Sequence, residues 1–201
     1  GGAPILQVGL EVTSQPRANG TIYLDWLTWS GTPTANLGRP AFANTLWRRA
    51  WVDATDLFDH RWPDPFRIAH NRGTGLLLQG TADWHDYVVE AAIVPHLLQN
   101  GGLVARAQGL RRWYALQFVA SGRVQLVVQY DDTHTVLADV AYDWQQEQQY
   151  TLRIEARGSR LTATVVGGPT LTATDDRLAY GSVGLVLTEG RLICNAVTIR
   201  P

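Results

Sequence analysis

Apolar and polar side chains alternate along three segments in the middle of the chain, residues 86–94, 102–108 and 112–120. The apolar positions are Tyr87, Val89, Ala91 and Ile93, then Leu103, Ala105 and Ala107, then Tyr114, Leu116 and Phe118. Alternation with a period of two is typical of a strand that is buried on one face. We therefore predict three strands, and we expect their polar sides to share one outer face if the strands are neighbours.

Similar patterns continue through most of the chain, with turn-forming residues at the breaks, as in Asn100-Gly101-Gly102 and Arg157-Gly158-Ser159. Strands are predicted near residues 66–70, 75–80, 86–94, 102–108, 112–120, 123–130, 134–142, 148–156, 160–166, 169–174, 181–188 and 191–199. So many short strands without a convincing helix predict an all-β, antiparallel sandwich or barrel.

The pattern divides the chain into three parts. Residues 1–31 are predicted to form a β-hairpin, which is marginal in water alone and so belongs either to the following sheet or to an upstream module. Residues 32–59 contain a stretch rich in Gly, Pro and Thr and are predicted to be a linker, with a short helix or a strand around Trp47 and Trp51. Residues 60–201 form the main domain. The chain contains no Met and starts at Gly1, so we expect it to be a piece of a longer polypeptide.

Composition argues against several functions. The formal net charge is -1, and the arginines never form a run longer than a pair, so a nucleic-acid partner is not expected. No segment approaches the roughly 18 apolar residues of a membrane span, so no membrane partner is expected either. The lone Cys194 lies in an apolar segment and is predicted to be a buried, inert thiol.

Residue spacing predicts no cofactor. One cysteine and five scattered histidines give no zinc-site pattern. Oxygen ligands for calcium could come from acidic residues at turns, namely Asp131, Asp132, Asp139, Asp175 and Asp176. Aspartate is also common in turns for purely local reasons. Calcium therefore stays open as a cofactor.

A series of short motifs spans residues 60–201. It includes Gly75-Leu76-Leu77-Leu78-Gln79-Gly80, Asp83-Trp84-His85-Asp86-Tyr87, Gly102-Leu103-Val104-Ala105-Arg106, Trp113-Tyr114-Ala115-Leu116, Tyr150-Thr151-Leu152-Arg153-Ile154, Gly181-Ser182-Val183-Gly184-Leu185 and Asn195-Ala196-Val197-Thr198-Ile199. In this order the motifs resemble the concanavalin A-like lectin/glucanase jelly roll, in its family-16-like or 3-keto-disaccharide hydrolase-like form. The resemblance implies a jelly-roll sandwich. Cys194-Asn195 departs from the aromatic-Asp pair usual in the closing strand.

Two further segments, Leu46-Trp47-Arg48-Arg49-Ala50-Trp51-Val52-Asp53 and Arg61-Trp62-Pro63-Asp64-Pro65-Phe66-Arg67, resemble the C-terminal β region of bacterial ADP-ribosylglycohydrolase-family proteins. This resemblance implies an accessory module beside a parent catalytic domain, with residues 1–31 as the tail of an upstream jelly-roll module. Together with the single free cysteine, it favours a cytoplasmic location.

The predicted outer face gathers groups that suit a sugar, because amide, carboxylate and guanidinium groups bind hydroxyls and aromatic rings pack on C–H surfaces. The candidate ligand-binding residues are Glu90, Arg106, Gln108, Arg112, Trp113, Gln117 and Gln125, with Gln129 on the same strand as Gln125. The alternative is a solvated sheet face on which Glu90 and Arg106 form a cross-strand ion pair.

These patterns support three functional hypotheses. The first is a non-catalytic module that binds a carbohydrate or an ADP-ribose-type ligand and accompanies a larger hydrolase. The second is a structural module that docks on its parent domain or on another chain without a small ligand. The third is a glycoside hydrolase acting on a disaccharide derivative, although the sequence shows no paired catalytic carboxylates. No catalytic residue is assigned.

Overall fold

Antiparallel strands form nearly all of the regular structure. The computed structural model describes residues 9–16, 18–27, 33–40, 45–59 and 66–201. These residues contain one 3₁₀ helix, Thr45–Ala50, and no helix among them is long and apolar enough to cross a membrane. Their strands are β1 (Ala35–Gly38), β2 (Val52–Ala54), β3 (Leu57–Asp59), β4 (Phe66–Gln79), β5 (Tyr87–His96), β6 (Asn100–Ala107), β7 (Arg112–Val119), β8 (Arg123–Tyr130), β9 (Thr133–Ala141), β10 (Tyr150–Arg157), β11 (Arg160–Val165), β12 (Thr170–Thr174) and β13 (Ser182–Arg200). The all-β prediction is confirmed.

The long strand β13 joins two sheets. Sheet A has the order β12-β11-β10-β5-β13, and sheet B has the order β13-β6-β7-β8-β9. Residues 182–188 of β13 pair with β6, whereas residues 191–200 pair with β5. β4 follows β13 through both sheets, β1 pairs with the end of β13, and β2 and β3 pair with β4.

A bend in β13 allows it to serve both sheets. The register with β4 shifts between Thr188 and Gly190, and Glu189 and Gly190 have φ values of 47° and 130°. A Cβ atom on Gly190 would lie 2.5 Å from the backbone oxygen of Leu97. Glycine therefore permits both the backbone conformation and the close packing that the bend requires.

The main hydrophobic core lies between the sheets. The inner positions predicted for β5 and β7 are confirmed, because their side chains are buried in one cluster: Tyr87, Val89, Ala91, Ile93, Tyr114, Leu116 and Phe118. The outer face of sheet B carries a second buried cluster that includes Val104, Ala115 and Val127. Sheet B is therefore apolar on part of both faces, so a simple alternation of apolar inside and polar outside does not describe it.

The N-terminal third differs from its predicted organisation. Residues 9–16 and 18–27 form no strand and are exposed, so this part of the predicted hairpin 1–31 is not formed; residues 1–8, 17 and 28–31 lie outside the described residues. The predicted linker 32–59 instead contributes β1, β2 and β3 to the sandwich. Its Trp47, Trp51 and Phe58 enter the main core, where the rings of Trp47 and Phe58 meet edge to face at 5.6 Å. The burial of these aromatic side chains outweighs the preference of the turn-rich local sequence for an irregular linker.

Candidate functional site

The outer face of sheet B presents three rows of side chains that run across its strands. Strand pairing sets the rows as Trp113–Gln129–His134, then Val104–Ala115–Val127, then Gly102–Gln117–Gln125. An apolar row thus lies between two rows with polar groups. Because each residue advances a strand by about 3.4 Å, the two outer rows are about 14 Å apart.

A groove of about 450 Å³ opens over this face. The row containing Gln117 forms one end of the groove, together with Thr74, Asn100 and Thr188. The other end is lined by Leu110, Arg111, Trp113, Gln129 and His134. The volume lies in the range of about 300–1,000 Å³ that is usual for small-ligand sites.

Gln117 provides the most distinctive polar group in the groove. The residue is 5% exposed, and its amide is not among the fully buried polar atoms that lack a partner, so the amide reaches the groove. An amide that reaches a groove and makes no hydrogen bond to the described residues can bind a ligand. An amide can also donate and accept at the same time.

Gln129 and His134 form a fixed polar pair at the other end. Nε2 of Gln129 donates to the backbone oxygen of Asp131 at 2.7 Å, which leaves Oε1 facing Nδ1 of His134 at 3.2 Å. This network assigns the proton to Nδ1 of His134 and leaves Nε2 as an acceptor. Desolvation lowers the pKa of His134 below its usual 6.5, so the imidazole is neutral at neutral pH.

Trp113 packs into the floor of the groove. Only 3% of the residue is exposed, because its ring lies in the second apolar cluster and Nε1 donates to the backbone oxygen of Leu110 at 3.1 Å. The ring therefore shapes the wall of the groove and offers an edge to a ligand, whereas an open stacking surface was expected from the sequence.

Ion pairs engage the arginines at the groove rim. Arg112 binds Asp131 with both Nε and Nη2 at 2.9 Å and lies 4.8 Å from the centre of the Tyr130 ring. The hydrogen bond from Arg112 lowers the pKa of Asp131. Arg111 pairs with Asp132. Arg112 was predicted to bind ligand, but the structure engages its guanidinium with protein groups.

Arg106 is buried, which corrects its assignment to the outer face. Its φ of 49° and the register shift between β6 and β13 mark a β-bulge, which inserts one residue and turns the side chain inward. The residue is 0% exposed, and its guanidinium bonds to Asp86 and to the backbone oxygens of His85, Gly158 and Leu178. Four of its five N–H donors are engaged in this way, and the whole side chain is buried, so it does not face a sugar on the sheet.

Glu90 lies on the other sheet, which corrects its predicted place beside Trp113. Strand β13 separates β5 from β6, so the outer sides of these two strands belong to different faces of the sandwich. Arg153 on β10 is the residue directly opposite Glu90, and its Nε and Nη2 bind the carboxylate at 2.8 Å and 2.7 Å. The cross-strand pair exists with Arg153 in place of Arg106.

Gln108 and Gln125 complete the predicted set. Nε2 of Gln108 donates to the backbone oxygen of Tyr180 at 3.0 Å, beyond the end of β6, and this holds two loops together. Gln125 lies directly opposite Gln117 on the outer face of sheet B. Of the predicted set, Trp113 and Gln117 line the groove, whereas Gln125 lies beside Gln117 and bonds to Asp139. Glu90, Arg106 and Gln108 lie outside the groove.

The sequence analysis missed several groove residues, His134 foremost. Its place follows from the hairpin turn at Asp131 and Asp132, because a two-residue turn pairs Tyr130 with Thr133 and Gln129 with His134. Asn100, Thr188 and Thr74 carry no such local signal, since they enter the groove only through the pairing of β6, β13 and β4.

The acidic turns serve local contacts in this structure. Asp131 binds Arg112, Asp139 binds Arg123, and Asp175 binds Arg177 at 2.5 Å. Among the residues that the structure describes, no group of three or more His, Cys, Asp or Glu side chains could hold a metal ion. Burial raises the pKa of the Cys194 thiol to about 12, which makes it unreactive.

Comparison with solved structures identifies the fold. The carbohydrate binding module CBM66 from Bacillus subtilis matches with a TM-score of 0.68 at 17% identity, over 76% of this chain and 96% of that one. A protein of unknown function with a galectin-like fold from Bacillus subtilis gives a TM-score of 0.62 at 10% identity, over 83% and 96%. The β-glucanase of Bacillus licheniformis gives 0.59 at 12% identity, over 86% and 100%. No protein-family model and no curated protein matches the chain. These likenesses confirm a concanavalin A-like, galectin-like jelly-roll β-sandwich.

Proposed function

We propose that this protein binds a carbohydrate in the groove on the outer face of sheet B. The observation that carries the proposal is Gln117, a nearly buried amide that faces the groove without a hydrogen-bond partner among the described residues. A sugar hydroxyl both donates and accepts, which matches the two functions of an amide.

The order of the rows supports the same ligand class. A sugar ring has C–H surfaces and a rim of hydroxyl groups, so it suits an apolar floor with polar groups on both sides. Here Leu76, Leu110 and Trp113 supply the apolar lining, with Gln117 at one end of the groove and Gln129 and His134 at the other. The names of two structural neighbours, a carbohydrate binding module and a β-glucanase, agree with this choice of ligand.

The accessory role belongs to the same proposal. The module would hold a glycan near a parent hydrolase domain, as the resemblance to the C-terminal region of ADP-ribosylglycohydrolase-family proteins implies. ADP-ribose is the competing ligand. The glycoside hydrolase alternative gains no support from Glu90, because Arg153 engages its carboxylate.

A glycan-binding screen tests the proposal. The wild-type chain, Gln117→Ala and Gln148→Ala would be applied to an array of neutral and anionic glycans, with ADP-ribose and calcium tested separately by thermal shift. Gln148 is an exposed glutamine that does not line the groove and serves as the matched control. We expect the wild type and Gln148→Ala to bind the same glycans and Gln117→Ala to lose them. If no glycan binds the wild type, the proposal is wrong.

A docking function is the second candidate, because the N-terminal segment exposes large apolar side chains. Tyr23 is 88% exposed and Trp26 is 73% exposed, and the described residues around them form no strand. A photo-crosslinking residue at position 23 in the full-length polypeptide would test this candidate. Crosslinks from position 23 to another domain or chain, absent when the crosslinker replaces the exposed Gln148, would support docking. Their absence would contradict it.

A further inference from the structure

We propose that the groove selects an uncharged oligosaccharide longer than one sugar ring, with Gln117 contacting one ring and the Gln129–His134 pair contacting another. This inference rests on the proposed carbohydrate-binding function and adds the class and the length of the glycan. Three features of the groove carry it: the spacing of its polar rows, the difference between its two ends, and its charge.

The spacing of the rows sets the length. Gln117 and Trp113 are four residues apart on β7, and Gln129 lies directly opposite Trp113. The Cα atoms of the two polar rows are therefore about 14 Å apart, and because side chains stand roughly perpendicular to a sheet, their polar ends are separated by a similar distance. A hydrogen bond of about 3 Å at each end leaves about 8 Å for the ligand to span. This is more than the distance between hydroxyl groups on opposite sides of one pyranose ring, so one ring cannot satisfy both ends.

The apolar lining of the groove suits such a chain. Its apolar residues are Leu76, Leu110 and Trp113. Val104, Ala115 and Val127 lie beneath them, fully buried in the second apolar cluster. The C–H surfaces of two linked rings can cover the apolar lining while their hydroxyl groups reach the polar groups at the two ends.

The two ends recognise different groups. The Gln117 amide is free to donate and accept, because no described side chain or backbone group bonds to it. At the other end, Asp131 holds the Gln129 amide in one orientation, and Gln129 in turn holds His134. In this arrangement Nε2 of His134 accepts, so this end selects a hydroxyl that donates.

The charge of the groove favours a neutral ligand. Among its described lining residues Arg111 is the one with a formal charge at neutral pH, and Asp132 pairs with it. The nearby Arg112 is held by two hydrogen bonds to Asp131. A uronate, or the diphosphate of ADP-ribose, would be repelled by the nearby Asp131 and Asp132 and would share their arginines with them, which reduces what an ion pair contributes. Neutral hydroxyl groups avoid this cost.

Calorimetric titration of chain-length series tests the inference. The probes are neutral gluco-, xylo-, manno- and galacto-oligosaccharides of one to five units, oligogalacturonates of the same lengths, and ADP-ribose. We expect affinity to rise at least about tenfold from the monosaccharide to the di- or trisaccharide of one neutral series and then to level off, since a second set of hydrogen bonds is gained. Oligogalacturonates and ADP-ribose should bind more weakly than the neutral oligomers.

Two variants separate the ends of the groove. Gln117→Ala and Gln129→Ala should each weaken the trisaccharide about three- to tenfold, the effect of one or two neutral hydrogen bonds. For the monosaccharide, only one of the two variants should have an effect, because a single ring reaches one end. Gln148→Ala is the control and should change neither titration. Melting temperatures of all variants confirm that they are folded.

The outcomes distinguish this inference from the proposed carbohydrate-binding function. A monosaccharide that binds as tightly as its trimer, or an anionic ligand that binds more tightly than the neutral oligomers, would overturn this inference while carbohydrate binding stands. The same holds if Gln129→Ala leaves trisaccharide binding unchanged. If no saccharide probe binds in this titration or on the array, carbohydrate binding itself is wrong and the inference falls with it.

Discussion

Arg106 holds together three loops at one end of the sandwich. Its guanidinium reaches the backbone oxygens of Gly158 and Leu178, and its backbone N–H donates to the Tyr87 hydroxyl at 2.6 Å. Burial raises the pKa of Tyr87, so this hydroxyl stays protonated and donates to Gly181. A buried cation with this many acceptors stabilises the fold, and its side chain is unavailable to solvent.

We therefore predict that Arg106→Ala destabilises the protein. Removing the guanidinium leaves the backbone oxygens of His85, Gly158 and Leu178 without their donor, and each unsatisfied buried group costs about 1–3 kcal/mol. Urea denaturation followed by tryptophan fluorescence measures the free energy of unfolding. The free energy of unfolding of Arg106→Lys should lie between those of the wild type and Arg106→Ala, because lysine keeps the charge but lacks the planar guanidinium. Arg111→Ala, an exposed rim change, is the control, and an equal effect there would contradict this role of Arg106.

The second residue-scale prediction concerns His134 and pH. Desolvation lowers its pKa below 6.5, so the ring is neutral at neutral pH and gains a proton as the pH falls through its lowered pKa. Protonation turns Nε2 from an acceptor into a donor and adds a charge to the groove. Glycan affinity should therefore be full near neutral pH and fall at least about threefold on acidification toward pH 5.

Titrations across this pH range in the wild type and in His134→Gln measure the effect. Glutamine keeps an acceptor and cannot be protonated, so the pH dependence should be much smaller in the variant. Asp131 is close to this group, but its hydrogen bond from Arg112 lowers its pKa, so it stays ionised over the range tested. An unchanged pH profile in His134→Gln would assign the dependence to another group.

At the scale of the strand, Gly102 sets the close approach of β6 and β7. A Cβ atom on Gly102 would collide with the backbone oxygen of Leu116, and Gly102 lies directly opposite Gln117. Gly102→Ala should cost about 1–3 kcal/mol, as overpacking does in cores, and should weaken glycan binding by displacing Gln117. Thermal unfolding and calorimetry measure the two effects. Gly9→Ala is the control, because a Cβ atom on exposed Gly9 meets no atom within 4 Å.

The alternation of apolar and polar residues predicted the faces of some strands correctly and those of others wrongly, for a physical reason. The inner faces of β5 and β7 follow from the period of two, and Tyr87 and Phe118 are buried as expected. On β6 the bulge at Arg106 interrupts the period, so Ala107 faces outward. No glycine or proline marks this bulge in the sequence.

Local sequence patterns also could not predict which strands are neighbours in the sheet. The hydrophobic pattern cannot show that β13 lies between β5 and β6, because that arrangement depends on pairing between distant residues. The expected outer face combined side chains from two different faces for this reason, which placed Glu90 with Trp113.

At the scale of the whole molecule, the fold class followed from the number and spacing of short strands. The predicted strands 181–188 and 191–199 are one strand in the structure, and its bend at Gly190 joins the two sheets. The groove was predicted in part: Trp113 and Gln117 both line it, and they lie on one strand, β7, whose faces local patterns can specify. Thr74 and Thr188 reach it through β4 and β13, whose pairing is nonlocal.

Two N-terminal deletions test where the folded unit begins. Residues 9–16 and 18–27 are exposed and form no strand, so removing residues 1–27 should lower the melting temperature little and leave glycan binding intact. Removing residues 1–59 takes away β1, β2 and β3 and the buried side chains of Trp47, Trp51 and Phe58. Loss of one large core aromatic costs about 3–5 kcal/mol, so losing three should exceed the stability of a domain of this size.

Circular dichroism and differential scanning calorimetry of both truncated chains measure the difference. A cooperative transition in the chain that starts at residue 28 and none in the chain that starts at residue 60 would assign residues 33–59 to the sandwich. If the chain that lacks residues 1–27 is already unfolded, the exposed N-terminal segment supports the core. A stable chain from residue 60 onward would restore the domain boundary that the sequence predicts, and the three aromatic side chains would then cover a core that is complete without them.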